Sequence, residues 1–197
     1  MSFIKEWVYR LRHNKGFGVQ SPWAFHFVMH VLREGKHTYY CYPQLDETAH
    51  KGGEYSAAHC RRLFRISNFV EPRNIITFAD TKSIAQASLS AGRIKAPVHP
   101  YKSLQELKNN MHSIGTIGLM HIAPTAHYAQ AVQVALPPVD NKSTIIVAGI
   151  HSNKHIREWW KQIVAHPSVV ISMDLYSAGI LFFDTKYKKQ HYTFWFK

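Results

Sequence analysis

Acidic residues are scarce in this chain. Against 24 lysines and arginines stand only 12 aspartates and glutamates in 197 residues, which leaves a formal charge of +12. The basic share is ordinary, so the imbalance is a loss of acids more than a gain of bases. The loss is local: from Thr81 to Arg157 the only acids are Glu106 and Asp140. Long apolar runs are missing as well. TIIVAGI and GILFF stop far short of the ~20 residues that a bilayer-crossing helix requires, so no membrane span is expected. The opening MSFIKEWVYRLRHNK interleaves charged with apolar residues and offers neither the unbroken apolar stretch nor the small-residue cleavage site of a signal peptide. A cytoplasmic location is the expectation. Cysteine is limited to Cys41 and Cys60, too few for a disulfide framework in a chain of this length, and they read as reduced thiols. Internal repeats, low-complexity tracts and linkers are absent.

What is present is the material of one folded domain. Apolar residues make up 46% and aromatic residues 13%, enough to bury a real core. Phe3, Ile4, Trp7, Val8 and Leu11 fall at helical spacing over Phe3 to Arg12, and NKGFGVQ then reads as a turn. Ser21-Pro22 has the form of an N-cap followed by proline in the first turn, opening a helix with Phe25, Val28, Met29 and Leu32 on one face. EGKHTYYCYPQ reads as loop. A further helix runs from about Ser56 to Val70, with Cys60, Leu63, Phe64, Ser67 and Val70 aligned and a stop before Pro72. Its basic trio, Arg61, Arg62 and Arg65, reads as a solvated face.

From Asn74 onward short apolar runs alternate with helical stretches. NIITFA, APVHPY, TIGLMHI and STIIVAGI read as strands. Between and after them TKSIAQASLSAG, SLQELKNNMHS, AHYAQAVQVAL and KHIREWWKQIVAH read as helices. Ser103 with Glu106 three residues later has capping-box spacing. Such alternation predicts βαβ crossovers and a parallel sheet. SVVISMDLY and GILFFD break the pattern: only Ser177 and Ala178 separate them, too few for a crossover, so an antiparallel hairpin is expected. HYTFWF adds an edge strand.

Fourteen histidines raise the question of a metal. His151 and His155 are four apart at a helix start, and His99, His121 and His127 fall near expected strand ends, which converge on one crevice in a doubly wound fold. No cysteine or carboxylate stands beside them in a ligand motif, and there is no H-E-x-x-H, so no metal is assigned. Gly16-Phe17-Gly18 lacks the preceding strand and third glycine of a phosphate loop and reads as a turn. Trp159-Trp160 read as core packing rather than a base-stacking platform. The basic first helix is expected to pack over the sheet or against a second subunit, in preference to lying on a membrane surface.

Three stretches, GFGVQSPWAFHFV, EPRNIITFADTKSIAQASL and IHSNKHIREWWKQIVAHPSVVISMDLYSAGILFF, together cover most of the chain. They resemble class I S-adenosylmethionine-dependent methyltransferases, in particular small bacterial members with helices ahead of the core. The resemblance implies an α/β fold: a Rossmann-like, doubly wound, mostly parallel sheet with a C-terminal antiparallel hairpin and an N-terminal helical cap. Residues 1–197 would then form one domain, with 1–55 as cap and 56–197 as core. It also implies S-adenosylmethionine as cofactor, held near Thr77, Ala79, Asp80, Ser83, Ala123 and His151.

Those positions are mostly substituted. Thr77 stands where the family's first strand ends in an acid, Ala79 and Ser83 stand in its glycine positions, and Asp80 comes three residues late. The second strand ends in VHPY instead of a ribose-binding acid. After the next strands the chain has Ala123-Pro124-Thr125 and Ala148-Gly149 where the family carries acids. Three functions follow. One is a methyltransferase altered around Asp80, His121, His151 and Lys154. Another is a non-catalytic relative acting as scaffold or partner-binding subunit, and a third is a basic nucleic-acid-binding module. Its partner would be an unknown protein, a small-molecule acceptor or a second copy. No catalytic residue is assigned.

Overall fold

A seven-stranded sheet in the order β2-β1-β3-β4-β6-β5-β7 organises the molecule. The computed structural model describes residues 18–33, 35, 37–52, 55–80 and 83–196, so the helix expected at Phe3 to Arg12 lies outside the described residues. Strands β1 (Ile75–Phe78), β2 (Val98–Tyr101), β3 (Leu119–Ile122) and β4 (Thr144–Ala148) are parallel. Strand β6 (Ala178–Phe182) runs antiparallel between β4 and β5 (Ile171–Tyr176), and β7 (Gln190–Phe196) adds a last strand parallel to β5. The hairpin and the edge strand therefore stand as expected, with Ser177 alone joining β5 to β6.

Strands β1, β3, β4 and β6 are buried along their whole length, because helices cover both faces. Helices α5 (Leu104–Ile114), α6 (Tyr128–Ala135) and α7 (Lys154–Ala165) share one core with Ile76, Met120, Ile145 and Leu181. Helices α1 (Pro22–Phe27), α3 (Ala57–Val70) and α4 (Ala85–Gly92) share the other with Ile75, Leu119, Ile146 and Ile180. The two sets alternate along each strand, as a two-sided sheet requires. Strand β2 contains Pro100, whose missing N–H is tolerated because β2 is an edge strand. Among the described residues no helix is long and apolar enough to cross a membrane.

Local signals explain most helix starts. The Ser21 hydroxyl accepts from the Ala24 N–H (3.3 Å) ahead of Pro22, the Ser56 hydroxyl accepts from the His59 N–H (3.2 Å), and Ser103 and Glu106 form the full capping box. The buried face of the first of these helices differs from the expected one. After α1 the chain makes a π-helical turn over Val28–Leu32, closed by the Arg33 N–H on the Val28 carbonyl (2.9 Å). The wider turn rotates the face, so Ala24, Phe27, Val28, Val31 and Leu32 are buried while Phe25 is 43% exposed. Helix α2 (Tyr42–Gly52) begins in the last three residues of the expected loop EGKHTYYCYPQ and continues through residues to which no element is assigned from sequence; it buries Tyr42, Leu45 and Ala49.

Helices α3 and α4 meet at Gly92. A Cβ there would stand 2.8 Å from the Ser67 Cβ and closer still to the Phe64 carbonyl oxygen. Neither neighbour is a flexible chain end, so Gly92→Ala is expected to cost about 1–3 kcal/mol. Urea unfolding of that variant measures it; a loss under a few tenths of a kcal/mol would show that the helices separate freely.

Candidate active site

In an open α/β sheet, ligands bind beyond the carboxyl ends of the strands, where the strand order reverses. Here that point lies between β1, whose next strand β2 is on one side, and β3, which is on the other. Hydrogen bonds extend the ladder past the strands: the Ala79 N–H donates to the Tyr101 carbonyl (3.1 Å) and the Ala123 N–H to the Phe78 carbonyl (2.9 Å). Across the crevice the Thr125 hydroxyl donates to Asp80 Oδ1 (3.0 Å) and accepts from the His127 N–H (3.2 Å). Asp80 thus ties the loop after β1 to the loop after β3. The Ser83 hydroxyl accepts from the Ala85 N–H (3.2 Å) at the start of α4.

Behind the crevice, Thr77 and His121 are register partners on β1 and β3 and face α3, the side of Ile75 and Leu119. Both are buried, at 4% and 1% exposure. Among the described residues neither ring nitrogen of His121 has a hydrogen-bond partner. Tyr55 packs edge-on against His121 (5.9 Å between centroids) and stacks on His59 (4.5 Å). Burial holds His121 down to about 4, and burial with the neighbouring Arg62 charge and His121 holds His59 down to about 3. Both rings are therefore neutral at neutral pH. Sequence reasoning missed His59 and Tyr55; the His59–Arg62 spacing on α3 is the only trace they leave.

A second constellation sits at the ends of β4, β5 and β7. Asp174 alternates with the core residues Met173 and Leu175 and so points to the opposite face from His121. His151 Nε2 lies 2.8 Å from Asp174 Oδ2, and the Tyr176 N–H donates to Oδ1 (2.8 Å). Tyr176 has φ of 72°, in the left-handed region, and stacks between His151 (4.9 Å) and Trp195 (4.0 Å). An aspartate that fixes one ring nitrogen of a histidine is the arrangement that orients a general base.

The four residues proposed from sequence are thus not one site. Asp80 engages Thr125, His121 faces α3, His151 pairs with Asp174, and Lys154 is exposed at the first turn of α7. The histidines do not converge either. His99 and His121 lie within strands, and His127 and His155 are exposed. Among the described residues no three His, Cys, Asp or Glu side chains gather closely enough to hold a metal ion. Cys41 and Cys60 are both buried and form no disulfide. Trp160 is core, its indole seated where Gly179 leaves room, and Trp159 packs on Tyr128 (4.8 Å).

No protein-family model matches this sequence, and no curated protein matches it. Solved structures do. A Podospora anserina methyltransferase bound to S-adenosylhomocysteine aligns over 83% of this chain and 96% of its own, with a TM-score of 0.57 and 9% identity. An O-methyltransferase from Bacillus cereus, also with S-adenosylhomocysteine, covers 78% and 96%, with a TM-score of 0.55 and 11% identity. An O-methyltransferase from Streptomyces achromogenes in complex with S-adenosylmethionine covers 90% and 98%, with a TM-score of 0.53 and 8% identity. At such identities the likeness is one of fold: the chain has the Rossmann-like fold of S-adenosylmethionine-dependent methyltransferases.

Proposed function

We propose that this chain is a methyltransferase-fold protein whose donor crevice has been retired, and that it acts as a non-catalytic, partner-binding subunit. The observation that carries this reading is the Asp80–Thr125 hydrogen bond. Among the loops that follow β1, β2, β3 and β4, Asp80 is the only acid, and it is spent holding two of those loops together.

The remaining strand ends do not fit the cofactor. Strand β2 finishes in Pro100-Tyr101, which offers no acceptor pair for ribose hydroxyls, and Thr77 is buried against the helix side of the sheet. Charge-assisted hydrogen bonds contribute about 1.5–3 kcal/mol each. Loss of two or three of them moves a micromolar affinity to millimolar or weaker, at about 1.4 kcal/mol per tenfold.

Titration calorimetry of the full chain with S-adenosylmethionine and S-adenosylhomocysteine tests this. The expected result is no saturable heat at millimolar ligand. Micromolar binding of either would overturn it and favour the second reading, a transferase altered around other residues. That reading has one observation on its side, the oriented His151–Asp174 pair.

A further inference from the structure

π turns are rare in helices and occur frequently at functional sites. The one over Val28–Leu32 is held firmly in place. Arg62 and Arg65 do not form the solvated face that their spacing suggests, each being only 7% exposed. Arg65 caps the end of the turn, donating from Nε to the Val31 carbonyl (2.6 Å) and from Nη2 to the Leu32 carbonyl (3.1 Å). The inner face of α1 and the turn is buried in the core, and the outer face carries His26 and His30, both exposed.

Residues four apart on an α-helix lie about 40° apart around its axis. The π turn begins between His26 and His30, and its wider ring takes more residues per turn. That reduces the offset and brings the two side chains closer into line. Their imidazole centroids are 4.6 Å apart, with the ring planes inclined at 32°. Phe69, at the end of α3, backs the His26 ring at 5.9 Å and packs edge-on against Phe27 at 5.3 Å. Among the described residues no hydrogen bond or ion pair engages either imidazole.

We propose that His26 and His30 form a two-imidazole chelate for one divalent transition-metal cation, copper(II) or zinc. Zinc binds imidazole nitrogen at about 2.0–2.1 Å, so two imidazoles on one ion, with about 90–110° between the bonds, place their centroids about 4.5–5.2 Å apart. The observed 4.6 Å lies in that range. Two histidines at i and i+4 on one helix face are also how an H-E-x-x-H helix presents its metal ligands. The element that carries the pair is rigid, since Arg65 fixes the turn and Phe69 backs one ring, so little ordering is required on binding. With two protein ligands on an exposed face, the ion keeps water in its other positions and can exchange. Imidazole affinity follows the usual order of divalent ions, with copper(II) above zinc. The pair is remote from the β1–β3 crevice: Phe27 of the same helix packs on Phe182 (5.3 Å), the register partner of Thr144 at the opposite end of the sheet. The inference is therefore independent of the fate of the donor site.

Titration calorimetry of the full chain with zinc chloride and, separately, with copper(II) buffered by glycine tests it. One saturable site per chain that depends on both histidines is expected in the micromolar range, with copper(II) bound at least tenfold more tightly than zinc. His26→Ala and His30→Ala are each expected to weaken that site at least tenfold, because either leaves half a chelate. The double variant reports what the remaining histidines bind. Both side chains are exposed, so these variants are expected to fold. Electron paramagnetic resonance of the native chain with one equivalent of copper(II) needs no variant, and is expected to show two coordinating imidazole nitrogens. Absence of saturable binding by the native chain, unchanged affinity in either single variant, zinc bound more tightly than copper(II), or fewer than two imidazole nitrogens on the copper would overturn the proposal.

Discussion

Between about pH 7.5 and pH 5 the fold is expected to lose about 4 kcal/mol, because His59 and His121 are buried as neutral rings. The sign follows from proton binding. Unfolded histidine titrates near 6.5, whereas the folded rings titrate at about 3 and about 4. Through the interval between these values the unfolded chain holds more protons, so stability is full above 6.5 and falls as the pH drops toward the folded values. Each ring contributes about 1.36 kcal/mol for every pH unit of that interval crossed, and about 1.5 units are crossed for each by pH 5. A loss of this size is a large share of an ordinary domain's stability of about 5–15 kcal/mol. Asp46 and Asp140 have lowered pKa values, Asp46 through its hydrogen bond to Arg61 and Asp140 through bonds to the Lys142 N–H and Arg73 against the cost of its burial. Their contribution is present above 3.8 and lost below it, outside this window. Urea titrations at four pH values give the slope. The His59→Leu/His121→Leu variant should be nearly flat over the same range. A native chain equally stable at pH 7.5 and 5 would show that these rings accept protons while folded.

The elements read correctly from sequence are those whose cause is local. A cap such as Ser103 with Glu106 satisfies backbone donors a few residues away, and a two-residue gap after Tyr176 cannot contain a crossover. The misreadings have causes elsewhere in the chain. Helix α2 buries only Tyr42, Leu45 and Ala49 among mostly polar residues, and Tyr42 and Leu45 pack with Phe64 of α3. Arg62 and Arg65 look like solvent-facing residues until the π turn, 33 and 34 residues before Arg65, supplies carbonyls for Arg65. Thr77 is a strand-end residue by its place in the sequence, yet β pleating turns it toward His121 and away from the crevice. The Asp80–Thr125 contact spans 45 residues and depends on β1 and β3 being neighbours, which topology decides. Asp174 and His151 could each be named from sequence as chemically interesting. Their pairing could not, because it requires the hairpin register that sets Asp174 opposite Gly179, and Gly179 opposite Val147.

That pairing should be costly to break. Asp174→Ala is expected to destabilise the protein by about 3–5 kcal/mol, since two hydrogen bonds to a buried carboxylate, each worth about 1.5–3 kcal/mol, are lost together. Asp174 is 4% exposed, and both of its oxygens are engaged, one by His151 and one by the Tyr176 N–H. The second bond forms an Asx turn, in which the side chain accepts from the backbone two residues on. This turn holds Tyr176 at φ 72°, a conformation that costs a residue with a Cβ about 1–2 kcal/mol. Alanine removes the acceptor, leaves the Tyr176 N–H unsatisfied and frees the strained residue to relax, which unstacks the ring from both His151 and Trp195. Asparagine retains an acceptor for the Tyr176 N–H and a polar atom toward His151, so Asp174→Asn should cost about 1–2 kcal/mol. Unfolding measurements on the two variants give the difference, and near-UV circular dichroism reports the Tyr176–Trp195 stack. The order Ala well below Asn, with the aromatic signal lost only in Ala, identifies Asp174 as the residue that builds the turn. Equal losses in the two variants would instead assign the cost to the negative charge and make the His151 ion pair, not the turn, the source of stability.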